Sequence, residues 1–340
     1  MHLVVNKVLI IGAAGAIGKS LVEYLLRQDI RVIAGLRRTP LEENLTNNAK
    51  LKCLFDVDCT DPQTLRRCFE SEQINCVWNL AAPLSVETAQ NPEHAYNVVV
   101  KGMENLLACM REFDVPRICF SDSIGSYGES APRENATARW LLDNPNQDPG
   151  SEYGRQKRKV RDLMRAFVQE EPLKRSSRFA VIPGVLHADA VWGRGTTEYA
   201  LDAIKCCVQH IPFNCPIEAN VYLPMIWRDD LVRGLYALTV ATDDAVMEPE
   251  GGYALAGLSF SAAELFTCLK KLPGYADFSV KLEEDSNKLL ADSPAAVFAR
   301  LWPDSISAFE AKRDLKFEAE FTSLPKIVKM IIEASKSVIS

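Results

Sequence analysis

The sequence predicts an α/β fold in which a doubly wound parallel sheet is followed by a smaller C-terminal substrate-binding lobe. Three observations support this prediction. A glycine-rich turn, Gly12 to Gly18, directly follows a largely apolar segment. Strand-like and helix-like segments then alternate as far as residue 182, the pattern of a parallel sheet with helices on both faces. Beyond Pro183-Gly184 the alternation fades into helices separated by short extended pieces.

The individual elements follow from hydrophobic periodicity. Leu3 to Ile11 reads as a buried first strand, and Ala16 to Arg27 repeats apolar residues at helical spacing. Arg31 to Leu36 is the second predicted strand. Further strands are expected at Leu51 to Phe55, Cys76 to Leu80, Arg117 to Ser121 and Phe179 to Ile182. In such a sheet, ligands bind in a crevice outside the carboxyl ends of the strands.

Composition excludes several classes of function. The formal charge of −6 leaves no basic stripe, so no nucleic-acid partner is expected. No apolar segment approaches the roughly 20 residues of a membrane helix, and the N-terminus reads as a strand rather than a signal peptide. A small-molecule substrate and a cytoplasmic location are therefore expected. The ten cysteines include no C-x-x-C pair and the four histidines lack ligand spacing, which predicts reduced thiols and no metal.

The turn after the first strand is predicted to bind the pyrophosphate of a dinucleotide. Its members are Gly12, Gly15, Ala16, Ile17 and Gly18. Glycines let backbone amides at the positive end of a helix approach phosphate oxygens that larger side chains would obstruct.

These features predict two regions. Residues 1–182 form a dinucleotide-binding, Rossmann-like domain, and residues 183–340 mainly form the substrate-binding lobe, with parts near 223–258 returning to the first domain. The chain slightly exceeds the usual size of a single core. Helices of the lobe are predicted at Thr196 to His210, Ser261 to Lys271, Ala291 to Leu301 and Leu324 to Lys336.

The end of the second strand favours NADP over NAD. An acidic residue there binds the ribose 2′-hydroxyl of NAD, whereas an arginine accommodates the 2′-phosphate of NADP. This chain has Arg37 and Arg38 and no carboxylate. Two arginines on a loop also suit a solvated surface, so both interpretations stay open. Asp58, after the third strand, suits the adenine amino group.

Tyr153 and Lys157 carry the predicted chemistry. Residues four apart share a helix face, so the Lys157 ammonium can lie beside the phenol and move its pKa toward neutrality. Tyr153 then takes a proton from an alcohol. Ser123, at the end of the fifth strand, can hold the alcohol oxygen. The segment after the fourth strand, Leu80, Ala81 and Ala82, is small enough to pass under a cofactor.

Together these residues resemble the extended short-chain dehydrogenase/reductase family, with its glycine motif and Ser-Tyr-Lys set. Later segments are similar to the short-chain-type L-threonine 3-dehydrogenases. They are Val181-Ile182-Pro183-Gly184-Val185, Gly193-Arg194-Gly195-Thr196-Thr197-Glu198-Tyr199-Ala200, Leu223-Pro224-Met225-Ile226-Trp227-Arg228-Asp229-Asp230, Gly257-Leu258-Ser259-Phe260-Ser261 and Trp302-Pro303-Asp304-Ser305.

The resemblance implies oxidation of L-threonine, or a similar 3-hydroxy amino acid, at its β-carbon. Tyr153 is then the base, Ser123 holds the oxygen, and Lys157 binds the nicotinamide ribose and lowers the Tyr153 pKa. NAD is the cofactor that the resemblance makes possible, and a homodimer is its expected assembly. Implied cofactor contacts are Pro183, Gly184 and Val185, and implied pocket residues are Ser85, Thr196, Thr197 and Trp302.

Four departures from the family pattern bear on specificity. Leu36 stands where an acidic residue is usual, which favours NADP. Val99 replaces a common asparagine. Asp122 precedes Ser123 where a serine is usual and is interpreted as a substrate contact that repels a carboxylate or engages an ammonium. Arg194 replaces a glycine and is interpreted as binding a carboxylate or enlarging the recognised group. A sugar-nucleotide epimerase or dehydratase with a tightly bound nicotinamide cofactor is the alternative function.

Overall fold

The computed structural model describes residues 3–70, 72–189, 195–281 and 293–339. Its strands are β1 (Lys7–Ile11), β2 (Arg31–Gly35), β3 (Leu51–Leu54), β4 (Cys76–Asn79), β5 (Arg117–Ser123), β6 (Ser176–Ile182), β7 (Gly184–Leu186), β8 (Phe213–Asn214), β9 (Tyr222–Trp227), β10 (Gly252–Ala254), β11 (Leu258–Ser261) and β12 (Val280–Lys281).

Helices occupy much of the remaining chain. They are α1 (Ala16–Arg27), α2 (Glu43–Thr46), α3 (Pro62–Arg66), α4 (Ser85–Gln90), α5 (Pro92–Tyr96), α6 (Gly102–Glu112), α7 (Ala138–Asp143), α8 (Glu152–Glu170), α9 (Tyr199–Val208), α10 (Arg228–Val240), α11 (Ala262–Lys270), α12 (Pro294–Leu301), α13 (Phe309–Leu315) and α14 (Leu324–Ile339). A π-helical turn, Asn97–Lys101, joins α5 to α6. Within these described ranges, no helix is both long and apolar enough to cross a bilayer.

The central sheet confirms the predicted fold class. Seven strands lie in the order β10-β6-β5-β4-β1-β2-β3, and every neighbouring pair is parallel. The chain runs outward from β1 to β3 and then returns to place β4 on the other side of β1. This reversal opens a crevice at the carboxyl ends of β1 and β4, where doubly wound sheets bind their ligands.

Apolar residues on both faces of the strands explain this architecture. In β1, Val8 and Ile10 belong to one buried cluster, whereas Leu9 and Ile11 belong to the other. Successive side chains of a strand point to opposite faces, so the sheet requires a helical layer on each side. The helices α1 and α10 pack together on one of these sides.

Strand ends differ from the sequence-based bounds by a few residues. Hydrogen bonding extends β5 to Ser123 and starts β6 at Ser176, while β2 ends at Gly35. The short strand β10 has no strong periodic signal because it contains only Gly-Tyr-Ala, yet it pairs with β6 at the sheet edge. A separate three-stranded sheet, β11-β9-β7, lies beside the crevice.

A buried arginine ties the central sheet to the end of α10. Arg117 is fully buried and donates hydrogen bonds to the carbonyl oxygens of Thr239 and Ala241, at 2.9 and 3.0 Å. It also forms an ion pair with Asp243 at 2.9 Å. Arg178 of the neighbouring strand pairs with the same carboxylate. Because a buried guanidinium needs all of these partners, this contact fixes the chain after α10.

We expect Arg117→Met to lower the free energy of unfolding by about 3 kcal/mol, because two carbonyl oxygens lose their donor and an ion pair is broken. Urea unfolding measures the change. Arg27→Gln is the matched control, since the Arg27 pair with Glu23 is exposed and its loss changes stability by less than about 0.5 kcal/mol. Equal effects of the two substitutions would contradict the assigned role of Arg117.

Candidate active site

The turn after β1 is shaped to receive a phosphate group. Gly12 has a φ of +82°, and a Cβ there would stand 2.9 Å from the Ala81 nitrogen. A Cβ at Gly18 would stand 2.3 Å from the Gly12 oxygen. Gly15 caps α1 without a side-chain hydrogen bond, and the first turn of the helix carries no acidic residue. The helix start therefore keeps its amides for an anion, which fits a dinucleotide pyrophosphate.

The predicted ribose and adenine contacts lie at the ends of β2 and β3. Arg37 and Arg38 are exposed directly after β2. Asp58 is held by Thr60, which donates from its backbone nitrogen at 2.9 Å and its hydroxyl at 2.7 Å. Burial raises the pKa of Asp58, but these hydrogen bonds and the charges of Arg37 and His94 lower it overall. The charge of Arg37 therefore acts on Asp58, as expected of two residues that contact one nucleotide.

The remaining predicted cofactor contacts border the same crevice. Leu80 donates its backbone hydrogen to the Ile11 oxygen at 2.9 Å, so the half-buried segment Leu80, Ala81 and Ala82 lies against the glycine turn. On the far side, Pro183 connects β6 to β7, and Gly184 and Val185 are the first two residues of β7. These positions fit a dinucleotide lying along the carboxyl ends of the strands.

Ser123, Tyr153 and Lys157 lie together at the junction of β5 and α8. Tyr153 is 9% exposed, and the Ser123 hydroxyl is close enough to lower the pKa of its phenol. The Lys157 ammonium donates to the Ser121 oxygen at 2.7 Å and lies 5.3 Å from the centre of the Tyr153 ring. The three side chains predicted to act on an alcohol are thus neighbours, with Tyr153 and Lys157 buried and Ser123 half-buried.

Burial controls the protonation of this group. It raises the pKa of Tyr153 to about 12, against the lowering effect of the Ser123 hydrogen bond, while Asp122 and Glu198 raise it further. Burial also lowers the pKa of Lys157 to about 8. The Tyr153 pKa therefore lies above its ordinary value, because desolvation outweighs the lowering effect of Ser123, and depression of this pKa by Lys157 stays a prediction.

The structure contradicts the interpretation of Asp122 as a substrate contact. The residue is 1% exposed, and its carboxylate forms an ion pair with Arg161. It accepts hydrogen bonds from the Ser123 backbone nitrogen at 2.8 Å and the Ser126 hydroxyl at 2.5 Å. In β5 successive side chains alternate, so Asp122 lies on the face of the strand opposite to that of Ser123.

Two of the implied pocket residues bond to each other, and another lies beside Tyr153. The Ser85 and Thr196 hydroxyls are 3.2 Å apart and both are buried. Thr197 packs against Gly184. Trp302 is 3% exposed, and both its ring and the Tyr153 ring lie against Gly125.

The pocket also contains an unsatisfied polar atom. The indole nitrogen of Trp302 is buried with no hydrogen-bond partner among the described residues. Arg194 lies outside the described residues. Over the described part of the chain, no group of three or more histidine, cysteine or acidic residues could hold a metal ion.

Sequence reasoning missed three side chains near the trio of Ser123, Tyr153 and Lys157. Arg161 follows Lys157 by four residues, and that spacing was the available signal. Ser126 bonds to both Asp122 and Arg161 but follows no recognisable pattern. Glu198 lies against Gly195 and acts electrostatically on Tyr153, and burial raises the pKa of Glu198. The charged side chains that act on Glu198, Asp202 and Glu87, are acidic as well.

Gly125 offers a direct test of the Tyr153 position. A Cβ at Gly125 would stand 2.8 and 2.9 Å from two atoms of the Tyr153 ring, so Gly125→Ala displaces the phenol from Ser123. We expect kcat to fall about 100-fold with unchanged cofactor affinity, because small displacements of reacting groups carry penalties of this order.

The matched control is Gly234→Ala, where a Cβ also meets a side chain at 2.8 Å but that side chain is Leu255. Steady-state kinetics and cofactor titration measure both variants. If the two variants lose activity equally, the loss at Gly125 comes from general repacking and not from the phenol.

The chain is similar to known proteins over nearly its whole length. Residues 8–176 match the NAD dependent epimerase/dehydratase family. An uncharacterized epimerase/dehydratase of Staphylococcus aureus (strain MRSA252) is 27% identical over 333 residues, which cover 97% of this chain and 96% of the relative.

Two solved structures extend this comparison. A partial-consensus L-threonine 3-dehydrogenase superposes with a TM-score of 0.82 at 26% identity, covering 97% of this chain and 99% of the other. UDP-glucose 4-epimerase of Thermotoga maritima, at 17% identity and a TM-score of 0.78, covers 98% of this chain and 100% of its own and shares the fold. The glycine turn, the parallel sheet and the family match agree, and the fit of the crevice to a dinucleotide indicates a nicotinamide cofactor. Residues 8–176 therefore form a domain of the NAD dependent epimerase/dehydratase family, within the extended short-chain dehydrogenases/reductases.

Proposed function

We propose that this protein is an NAD(P)-dependent dehydrogenase of L-threonine or a related 3-hydroxy amino acid, acting at the β-carbon. The observation that carries this proposal is that Tyr153, next to Lys157, and Trp302, an implied pocket residue, both lie against Gly125. Ser85 and Thr196, two further implied pocket residues, are joined by a hydrogen bond. The likeness to a threonine dehydrogenase over nearly the whole chain supports it.

The proposed reaction converts the β-hydroxyl to a ketone. Ser123 holds the hydroxyl oxygen, and Tyr153, as phenolate, takes the hydroxyl proton. Lys157 holds the nicotinamide ribose and, as an ammonium, favours the phenolate. A bound nicotinamide cofactor supplies the acceptor for the hydride that leaves the β-carbon. Because burial raises the pKa of Tyr153 to about 12, oxidation by this route becomes faster as pH rises.

Charge in the pocket supports an amino acid as substrate. The Glu198 carboxylate acts on Tyr153 and has acidic neighbours, so a substrate ammonium gains a favourable interaction there. The second candidate function is a sugar-nucleotide epimerase or dehydratase, which the description of the family supports. A nucleotide sugar carries two phosphates, which the same carboxylates disfavour.

The cofactor is proposed to be NADP. Arg37 and Arg38 are exposed at the end of β2, next to the edge that holds Asp58. Leu36, where an acidic residue would favour NAD, is 1% exposed and cannot contact a ribose from outside the core. The homodimer and the cytoplasmic location stay predictions.

The test of the proposed function follows nicotinamide absorbance with L-threonine and each oxidised cofactor in parallel. We expect threonine-dependent reduction, and Tyr153→Phe is expected to lower kcat at least about 100-fold because no group then accepts the proton. Cofactor affinity of the variant should stay near that of the unmodified protein. Near-full turnover by Tyr153→Phe would sink the mechanism, and turnover of a nucleotide sugar without net reduction would favour the second candidate.

Arg37→Ala tests the cofactor preference. We expect a loss of at least about 10-fold in affinity for NADP with little change for NAD, since only NADP has a 2′-phosphate for the guanidinium to bind. Arg31→Ala is the matched control, because Arg31 is an exposed arginine at the opposite end of the same strand. Fluorescence titration gives both affinities, and an equal loss for NAD and NADP would remove the assignment.

A further inference from the structure

We propose that the buried ion pair of Asp122 and Arg161 positions the catalytic trio, by fastening the end of β5 to α8 and by balancing the charge beside Lys157. Asp122 is the neighbour of Ser123 in β5, and Arg161 lies on the same helix as Tyr153 and Lys157. The inference rests on the proposed catalytic use of Tyr153.

The contacts form a closed network across the junction of strand and helix. One carboxylate oxygen of Asp122 accepts hydrogen bonds from the Ser123 nitrogen and the Ser126 hydroxyl, and the other pairs with Arg161. Arg161 also donates to the Ser126 hydroxyl at 3.1 Å. The side chains of Arg161 and Asp122 are 3% and 0% exposed, so water cannot replace either partner.

The spacing along α8 connects this network to Tyr153 and Lys157. Tyr153, Lys157 and Arg161 recur every four residues and are all buried, so one face of the helix carries the phenol, the ammonium and the guanidinium in order. On β5, the Ser121 carbonyl oxygen accepts a hydrogen bond from the Lys157 ammonium, and the Ser123 hydroxyl lowers the pKa of Tyr153. Asp122 stands between these two residues and extends the contact to Arg161.

Charges facing the trio come from each of the packed elements. Burial lowers the pKa of Lys157, Asp122 raises it, and Arg161 lowers it. Asp122 and Glu198 raise the pKa of Tyr153. Asp122 and Glu310 likewise raise the pKa of the buried Tyr127 phenol. Since Asp122 and Arg161 act on Lys157 with opposite signs, removing either one alone shifts the proton affinity of the ammonium.

The experiment compares four variants with the unmodified protein: Asp122→Asn, Arg161→Gln, the double variant and Arg161→Lys. Protein labelled with ¹³C at lysine Cε is titrated by NMR, and Lys157→Met assigns the Lys157 signal. The same proteins are assayed for kcat and KM and for melting temperature. Arg165→Gln is the matched control, because Arg165 lies one turn further along α8 and its ion pair with Glu250 is partly exposed.

We expect Asp122→Asn to lower the pKa of Lys157 and Arg161→Gln to raise it. Each single variant should lose about 10-fold to 100-fold in kcat with KM changed less than about 3-fold, because misplaced reacting groups slow the chemical step. The double variant leaves neither charge unpaired and should recover part of both losses. Arg161→Lys keeps the charge and should keep the Lys157 pKa, and Arg165→Gln should change neither readout.

One result would overturn the proposal: single variants that melt earlier but keep the Lys157 pKa and kcat, since the pair would then serve stability alone. If a single variant does not fold, the double variant and Arg161→Lys carry the test, because neither contains a buried unpaired charge. Failure of the proposed function is distinguishable. The titration of Lys157 does not require turnover. A protein that does not oxidise threonine therefore still reveals whether the two substitutions shift the Lys157 pKa in opposite directions.

Discussion

Helix α8 lays a polar face against the carboxyl end of β5, and the catalytic side of the molecule depends on this contact. Its buried residues include Tyr153, Gln156, Lys157 and Arg161, which would each be costly to bury without partners. The end of β5 supplies a carbonyl oxygen for Lys157 and a carboxylate oxygen for Arg161, whereas Gln156 donates to the Pro92 carbonyl oxygen. These contacts hold two buried cationic side chains and a buried phenol in fixed places. Without partners, the same side chains would destabilise a core.

The double winding of the sheet determines what this contact can serve. Because β1 and β4 are adjacent, the glycine turn after β1 lies close to the segment after β4. The approach is so close that a Cβ at Gly12 would collide with the backbone of Ala81. The junction of β5 and α8 lies one strand further along the same edge. A dinucleotide along this edge would therefore have its pyrophosphate at α1 and its reactive end near Tyr153.

Sequence patterns were sufficient for the features that are local in the chain. The glycine turn and the spacing of Tyr153 and Lys157 each involve residues close together in the sequence, and in the structure the Ser123 hydroxyl acts on Tyr153. The role of Asp122 was not predictable from the sequence, because its partner Arg161 is 39 residues away and the choice of strand face depends on register. The protonation of Tyr153 also depends on burial, which only the packed structure fixes.

The hydrogen bond between Ser85 and Thr196 gives the pocket a selectivity that does not depend on charge. It joins α4 to the segment before α9 across 111 residues, so two distant parts of the chain meet at one pair of buried hydroxyls. A substrate group with its own donor or acceptor can replace this bond without loss. An apolar group inserted there would leave both hydroxyls unsatisfied, at about 1–3 kcal/mol for each. For the proposed function, a purely apolar molecule that separates these two hydroxyls would therefore be disfavoured by the penalty of unsatisfied polar atoms, before any catalytic residue is engaged.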